Sequence, residues 1–541
     1  MIVPELVGTT LARLGVGAVF GVVGSGNYHV TNALRAHGVD FFATRHECGA
    51  AMAADGFARM SGRVAVVSTH QGPGLTNAIT GIAEAAKSRT PLIVLTGDTA
   101  RADLLSNFRI DQDALVRSVG AVAERVHGPG SAVADTVRAY RIAVQQRRTV
   151  VISLPLDVQA MEVPDTSVEV GSVEPLPAVR PAADSVIALA ELIDSAARPV
   201  FVAGRGARSA GGQIRALAER CGALLATSAV ANGLFHGDPW ALGISGGFSS
   251  PLAAELIRAA DLIVGWGCAL NNWTTRHGAL IGPDTRLAQV DTEPAALGAF
   301  RPVDVAVLGD TAATATDALA AVEPKTGYRT PELHSHIVGR ARWSARDYED
   351  ISTATTIDPR TLSARLDELL PAERVVSVDS GNFMGYPSAY LAVPDEYGFC
   401  LTQGFQAIGL GLATAIGAAL ARPDRLPVAA LGDGGFHMGI ADLETVVRLG
   451  LPMVVIVYND NAYGAEIHHF DGDMTTVRFP ETDIAETARG FGCTGVTVRT
   501  EHDLTVVKDW LAGPRETPLV IDAKIADDGG SWWLAEAFRA H

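Results

Sequence analysis

The sequence predicts an α/β protein built as three open, doubly wound sheets. Three observations carry that expectation. The chain has 541 residues, too many for one domain. Short apolar, β-branched runs bounded by Gly or Pro alternate with Ala-rich helical stretches, the pattern of strands buried on both faces of a parallel sheet. Two links then break this alternation into three blocks. In the first block the strand runs are "GAVFGVV", "VAVVST", "PLIVLTG" and "TVVISLP". A Pro-, Val- and acid-rich link, "EVPDTSVEVGSVEPLPAVRPAADS", precedes the second block, with "RPVFVAGRG", "ADLIVGWG" and "RLAQVD". A polar stretch, "EPKTGYRTPELHSHIVGRARWSARDYEDISTATT", leads to the third, with "RVVSVDSG", "PVAALGDG", "MVVIVYND" and "PLVIDAK". The expected units are 1–165, 183–322 and 355–530. Ligands of such sheets belong near the carboxyl ends of the strands.

Composition narrows the function. With 48% hydrophobic and 19% charged residues the chain is an ordinary globular one. A net charge of −17 without a basic cluster argues against a nucleic-acid partner. Five scattered cysteines form no Cys-x-x-Cys pair, which is neither a disulfide frame nor a zinc site but the usage of a reducing compartment. No basic n-region opens the chain and no apolar run reaches about 18 residues, so a cytoplasmic protein with no membrane partner is expected.

One stretch carries chemistry: "ALGDGGFHMGIADLETVVRLGLPMVVIVYNDNAYG", residues 430–464. A strand runs into Gly432-Asp433-Gly434-Gly435, a helix is expected over "IADLETVVRLG", and a second strand ends in Asn459-Asp460-Asn461. Glycine amides at a helix N-terminus suit a phosphate. Asp433, an acceptor from the second strand end and a backbone carbonyl could together hold one Mg²⁺, completed by phosphate oxygens and water. The plain alternative is two surface turns, since Gly-Asp-Gly is common. The separation of the two acids, 460 − 433 = 27 residues, fits one strand–helix–strand step.

This pattern resembles the signature of thiamine-diphosphate (ThDP) enzymes. The resemblance implies that Asp433 and Asp460 bind Mg²⁺ by side chain and Ala462 by its carbonyl. Asp460 departs from the more usual Asn. "TRHECGAAMAADGFARMSG" resembles the family's activating segment, with Glu47 in the place of the glutamate that shares a proton with the aminopyrimidine; otherwise Glu47 is an acid at a helix N-terminus. "GFQAIGLGLATAIGA" is similar to the segment that clasps the pyrimidine, implying a carbonyl from Gln406, an amide from Ile408, and Ile408 as the apolar wedge that bends the cofactor. "DSGNFMG" resembles the diphosphate-side loop, placing Gly381, Asn382 and Phe383 there; relatives often carry His at position 383, so only the Phe383 backbone can contribute. "STHQGPGLTNAITGIAEA" resembles the turn and helix that line the reaction cavity, which makes His70 a proton-transfer candidate or else a helix-cap or core histidine.

The resemblance covers essentially the whole chain and is nearest the acetolactate synthase and 2-oxo acid decarboxylase branch. It implies a homodimer whose sites are shared between subunits, and a homotetramer as the expected assembly. It also implies decarboxylation of a 2-oxo acid, pyruvate first, and ligation of the remaining fragment to a second carbonyl compound. The alternatives are a simple decarboxylase releasing an aldehyde, or a non-catalytic member of the fold. For the substrate pocket it points to Ser25 and Gly26 in "GVVGSGNYHV", Phe108 and Arg109 in "SNFRIDQDALVRSVG", and His468. Acetolactate synthases have glutamine where Arg109 stands; Arg109 is a carboxylate-binding fork or a surface cation. His468 and His469 are a substrate contact or a solvated pair, and Trp532 and Trp533 close the entrance or pack against another chain. The loop "GVVGSGNYHV" is a poor dinucleotide motif because His29 takes the third glycine position. The central block resembles the domain in which some relatives hold FAD, but its residues do not favour a flavin.

Overall fold

A computed structural model of the chain describes residues 1–163 and 170–537. The expected boundary at residue 165 and part of the link after it lie outside the described residues. Among these, eighteen strands form three six-stranded sheets, every pairing parallel. The first sheet holds β1 (Val19–Gly21), β2 (Phe41–Ala43), β3 (Ala65–Thr69), β4 (Leu92–Asp98), β5 (Val122–Arg125) and β6 (Thr149–Pro155). The second holds β7 (Pro199–Ala203), β8 (Leu224–Thr227), β9 (Ala241–Ile244), β10 (Leu262–Trp266), β11 (Arg286–Asp291) and β12 (Val305–Leu308). The third holds β13 (Arg374–Val378), β14 (Phe399–Leu401), β15 (Leu426–Gly432), β16 (Val454–Asn459), β17 (Thr494–Val498) and β18 (Leu519–Lys524).

The outer sheets share one strand order, β2-β1-β3-β4-β6-β5 and β14-β13-β15-β16-β18-β17. The central sheet runs β12-β11-β10-β7-β8-β9, which from its other edge is the dinucleotide-fold order. In an open sheet the winding reverses between two neighbouring strands, and the loops leaving their carboxyl ends diverge to open a crevice. The reversal falls between β1 and β3, between β7 and β10, and between β13 and β15. The segments leaving these strand ends are residues 22–27 and 70–72, 204–206 and 267–269, and 379–382 and 432–435, the last passing straight from strand into helix.

Helices cover both faces of each sheet. Two of them, Glu47–Ser61 and Gly411–Ala421, cross where the first and third domains meet. Glycines make the contact close: a Cβ on Gly56 would lie 2.5 Å from the Thr414 carbonyl oxygen, and one on Gly417 would strike the Ala53 carbonyl. The Glu47 end of the helix is therefore tied to the third domain, where the Arg45 amide donates to Asp442 (3.1 Å) and Arg45 pairs with Glu444 (2.6 Å). No helix among the described residues is long and apolar enough to cross a membrane.

Candidate active site

The third sheet's reversal point is built of buried carboxylates. β15 ends at Gly432, whose extended backbone caps a helix that starts at Asp433 itself and runs to Gly439. This corrects the sequence reading, which began the helix at Ile440. Gly434 and Gly435 form its first turn, where a Cβ would strike the Tyr463 ring (2.7 Å) and the Asp379 carboxylate (2.5 Å). β16 ends at Asn459, and Asp460 lies opposite Asp433. Burial raises the pKa of both carboxyls, and the charge of Asp433 raises that of Asp460 further. Gly464 makes room for the Asp460 carboxylate, since a Cβ there would strike it. Asn461 turns through φ +56°, and residues 461–463 pair with 477–479 through Tyr463 N–H to Val477 O (2.9 Å) and Phe479 N–H to Asn461 O (2.8 Å). That bridge uses the groups on either side of Ala462 and leaves the Ala462 carbonyl out of it.

The neighbouring turns complete this half. Gly381 adopts φ +145°, a conformation that needs glycine. Phe383 is buried, stacks on Tyr458 (5.3 Å) and lies under Gly381 and Gly432, so its ring is a floor. Asn382 accepts from the Ser531 hydroxyl at 2.7 Å. Gln406 takes φ +60°, a left-handed position that favours glycine, and Ile408 is half-buried. Asp379, not singled out from the sequence, accepts from the amides of Ser380 (2.9 Å), Gly409 (2.8 Å) and Leu410 (3.2 Å). Burial lifts its pKa to about 6 although these bonds oppose the shift. An acid directly after a buried strand, in Asp-Ser-Gly-Asn, is the signal that could have found it.

The first sheet's reversal point carries a different kit. Ser25 Oγ lies 3.2 Å from His70 Nε2, and His70 Nδ1 lies 3.1 Å from the Gln71 carbonyl. A carbonyl only accepts, so Nδ1 carries a proton and donates it to Gln71, leaving Nε2 to face Ser25 Oγ. The Phe108 ring stands edge-on to His70 at 5.2 Å. Glu47 opens its helix, where His46 Nδ1 accepts from the Cys48 amide (3.1 Å), and its carboxylate accepts from Asn77 Nδ2 at 3.0 Å. Gly74 stands between Glu47 and His70. Gly26 is buried against Gln71, and its carbonyl accepts from Gln159 (2.9 Å). Gln112 staples the turn by accepting from the Gly72 amide (3.0 Å) and donating to Gly97 O (3.0 Å).

A cavity of about 1610 Å³ joins the carboxylate turns to the reversal point of the central sheet. Asp433, Asp460, Ala462, Gln406 and Ile408 line one end, and Gly204–Gly206 with Arg89, Arg147 and Arg205 line the other. Burial, reinforced by neighbouring arginines, lowers Arg205 to about 9. Ser25, Glu47, His70 and Phe108 are not on this cavity. One chain thus gathers the candidate residues into two groups rather than one. Arg109 is exposed and its guanidinium bonds to no described residue. His468 turns toward Asp527 (3.8 Å) and packs on Gly530, away from the cavity lining. Trp533 is buried against Gly385 and Tyr386, and Trp532 donates to Gly247 O (3.1 Å), so both pack within the chain.

Could these residues hold ThDP with Mg²⁺? Two facing carboxylates, Asp433 buried and Asp460 half-buried, need a proton or a cation between them, the Ala462 carbonyl beside them bonds to no described residue, and a helix begins at Asp433 with glycine amides in its first turn. That donor set suits a hard divalent cation and a diphosphate.

Three doubly wound sheets with acids at a reversal point define a small-molecule-binding α/β protein, and comparison with known proteins makes the class specific. Family models described as thiamine pyrophosphate enzyme N-terminal TPP-binding domain, central domain and C-terminal TPP-binding domain match residues 1–115, 186–319 and 379–523. A probable 2-ketoarginine decarboxylase of Pseudomonas aeruginosa is 32% identical over 524 residues, 93% of this chain and 90% of that protein. A sulfoacetaldehyde acetyltransferase of Rhodobacter capsulatus is 29% identical, covering 92% of this chain and 89% of its own. An acetolactate synthase large subunit of Parasynechococcus marenigrum is 28% identical, covering 95% and 86%. The chain belongs to the thiamine pyrophosphate enzyme family, and it is an enzyme.

Proposed function

We propose that the protein uses ThDP and Mg²⁺ to decarboxylate a 2-oxo acid, pyruvate first, and to join the remaining fragment to a second carbonyl compound. The observation that carries this is the facing Asp433–Asp460 pair, Asp433 buried and Asp460 half-buried, beside the Ala462 carbonyl, which bonds to no described residue, and the amides of Gly434 and Gly435. Asp433, Asp460 and Ala462 would hold the cation. The amides of the 381–383 and 432–435 turns would hold the diphosphate. Gln406 and Ile408 would grip the pyrimidine by backbone, and the Ile408 side chain would set its bend. The cofactor, when bound, supplies the electron sink that makes loss of CO₂ from a 2-oxo acid feasible.

The remaining work falls to this chain's side chains. Glu47 would hold a proton at the pyrimidine nitrogen. His70 would accept or return a proton at Nε2, with Ser25 as its relay toward the substrate. Phe108 would shield that space from water, and Arg109, whose guanidinium bonds to no described residue, would meet a substrate carboxylate. Because the Glu47 group and the carboxylate group share no cavity in one chain, we take a homodimer as the active unit, each site taking one group from each copy, and a pair of dimers as the assembly. Five free cysteines suit a cytoplasmic setting.

Incubation with pyruvate alone, then with a panel of 2-oxo acids and aldehydes, with products read by mass, tests the reaction. A ligated product supports the reading. A free aldehyde as sole product replaces it with the simple decarboxylase. FAD remains the lesser reading of the central end of the cavity, where Arg205 and Arg89 suit an anionic nucleotide; flavin absorbance of the purified protein decides it.

A further inference from the structure

The turn that carries Gln406 and Ile408 has no regular structure of its own, yet both its ends are gripped by buried carboxylates from different domains. Asp379 takes the Gly409 and Leu410 amides from the diphosphate-side domain. Glu84, from the first-domain helix Pro73–Lys87, takes the Gly404 amide at 3.0 Å and the Phe405 amide at 2.6 Å, one on each oxygen. Glu84 is fully buried. It is paired with Arg59 (3.0 Å), which pairs with Asp55 (2.6 Å), and Asp55 accepts from Thr90 (2.6 Å).

The direction of the bonds is informative. The hydrogen bonds that the Glu84 and Arg59 side chains make to the diphosphate-side domain all end on the segment entering the turn: Arg59 donates to the Leu401 carbonyl (3.0 Å), and Glu84 accepts from Gly404 and Phe405. Burying an acid–base network costs desolvation that apolar packing would avoid, so such a network is better explained by what it fixes than by stability. Bonds from amides to a carboxylate are about twice as strong as neutral ones and set direction as well as distance. Between the two grips the chain passes through the left-handed Gln406.

We propose that Glu84 is a positioning residue for the cofactor: with Asp379 it fixes the 404–410 turn so that the Gln406 and Ile408 backbone groups and the Ile408 side chain face the cavity before any ligand arrives. The proposal rests on the ThDP reading of that turn. Glu84 touches no cofactor atom in it and acts only through Gly404 and Phe405.

Glu84→Gln keeps the shape but turns an amide NH₂ toward one of the two backbone N–H groups. Glu84→Asp keeps the charge and draws the carboxylate back by one methylene. Asp55→Asn loosens the same network without touching the turn. Two readouts are made: amide hydrogen exchange of the cofactor-free protein, and ThDP affinity by calorimetry with Mg²⁺ present. For both Glu84 variants exchange over 401–410 should rise, and ThDP affinity should fall, by about tenfold each, with turnover at saturating ThDP within about threefold of the parent. Asp55→Asn should leave ThDP affinity within about threefold. A folded Glu84 variant with unchanged exchange and affinity overturns the proposal. So does equal loss in Asp55→Asn with faster exchange throughout the first domain, which marks Glu84 as structural only. A parent protein that fails to bind ThDP, with exchange at 401–410 still rising in Glu84→Gln, keeps the grip on the turn and removes the ThDP reading.

Discussion

The first and third sheets have the same strand order and open at the same reversal point, yet the chemistry set there is opposite in kind. At the end of β1 and β3 the tools are side chains on or near the surface: Ser25, His70, and Glu47 nearby. At the ends of β13, β15 and the neighbouring β16 they are buried or half-buried acids and backbone groups: Asp379, Asp433 with Asp460, the Ala462 carbonyl and the glycine amides. On the proposed function, one fold used twice would build a proton-handling face and an ion- and phosphate-holding pocket. Topology says where a ligand goes, and only the residues at the loops say which.

The sharpest way to break the comparison is to empty the buried pocket. Chelation with dialysis, or Asp433→Ala, should abolish measurable turnover, and Mg²⁺ with ThDP should restore the chelated protein but not the variant. Activity that survives thorough removal would sink the pocket's assignment. Next in size is the exposed face. Glu47→Gln should lower turnover by about a hundredfold or more, the usual worth of a positioned acid or base, while ThDP affinity by calorimetry changes little. If affinity collapsed instead, Glu47 would belong with the holding residues and the contrast between the two regions would fail.

The sequence made the centre of each sheet legible and its edges much less so. The strands read from it are β1, β3, β4, β6, β7, β10, β11, β13, β15, β16 and β18, mostly continuous apolar runs buried on both faces. Those it missed are the six edge strands β2, β5, β9, β12, β14 and β17, together with the short β8. Edge strands have one unpaired side and are short, so Phe41–Ala43 and Val122–Arg125, half-buried throughout, carry weak patterns. The same rule divides the candidate site. Residues fixed by local turns, from Gly432 to Gly435 or Asp460 to Ala462, were visible as motifs. Glu84 was invisible because its partners, Gly404 and Phe405, lie 320 and 321 residues away along the chain.

A smaller effect separates the two regions by pH. The raised pKa values of Asp433 and Asp460 mean that the cation-free native state keeps protons that the unfolded chain gives up. Their contribution to stability is therefore present at acid pH and is lost as pH rises from the ordinary carboxylate range, about 4, toward neutrality and above. Mg²⁺ needs the ionised pair, so its stabilisation should grow across the same window. The melting temperature with Mg²⁺ minus that without should be several degrees at about pH 8 and close to zero at about pH 5. A gap independent of pH would mean that the two acids do not hold the cation.

The smallest effect asks whether the turn at Gln406 works through backbone alone, as the buried region's character implies. Its side chain makes no hydrogen bond to a described residue, and its φ of +60° costs a non-glycine residue about 1 kcal/mol or more. Gln406→Gly removes that strain but adds freedom to the unfolded chain worth roughly 0.5–1 kcal/mol, so the two nearly cancel. Melting temperature should move by no more than about 2 °C and turnover by no more than about twofold. Gln406→Val, branched at Cβ in a left-handed position, should instead destabilise the turn and weaken ThDP binding measurably. The pair of variants reads the role directly: a tolerated glycine and a damaging valine assign the position to backbone geometry. If glycine cost turnover as heavily as valine, the amide side chain would be at work on the cavity, and the holding region would share the side-chain logic of the face around Ser25 and His70.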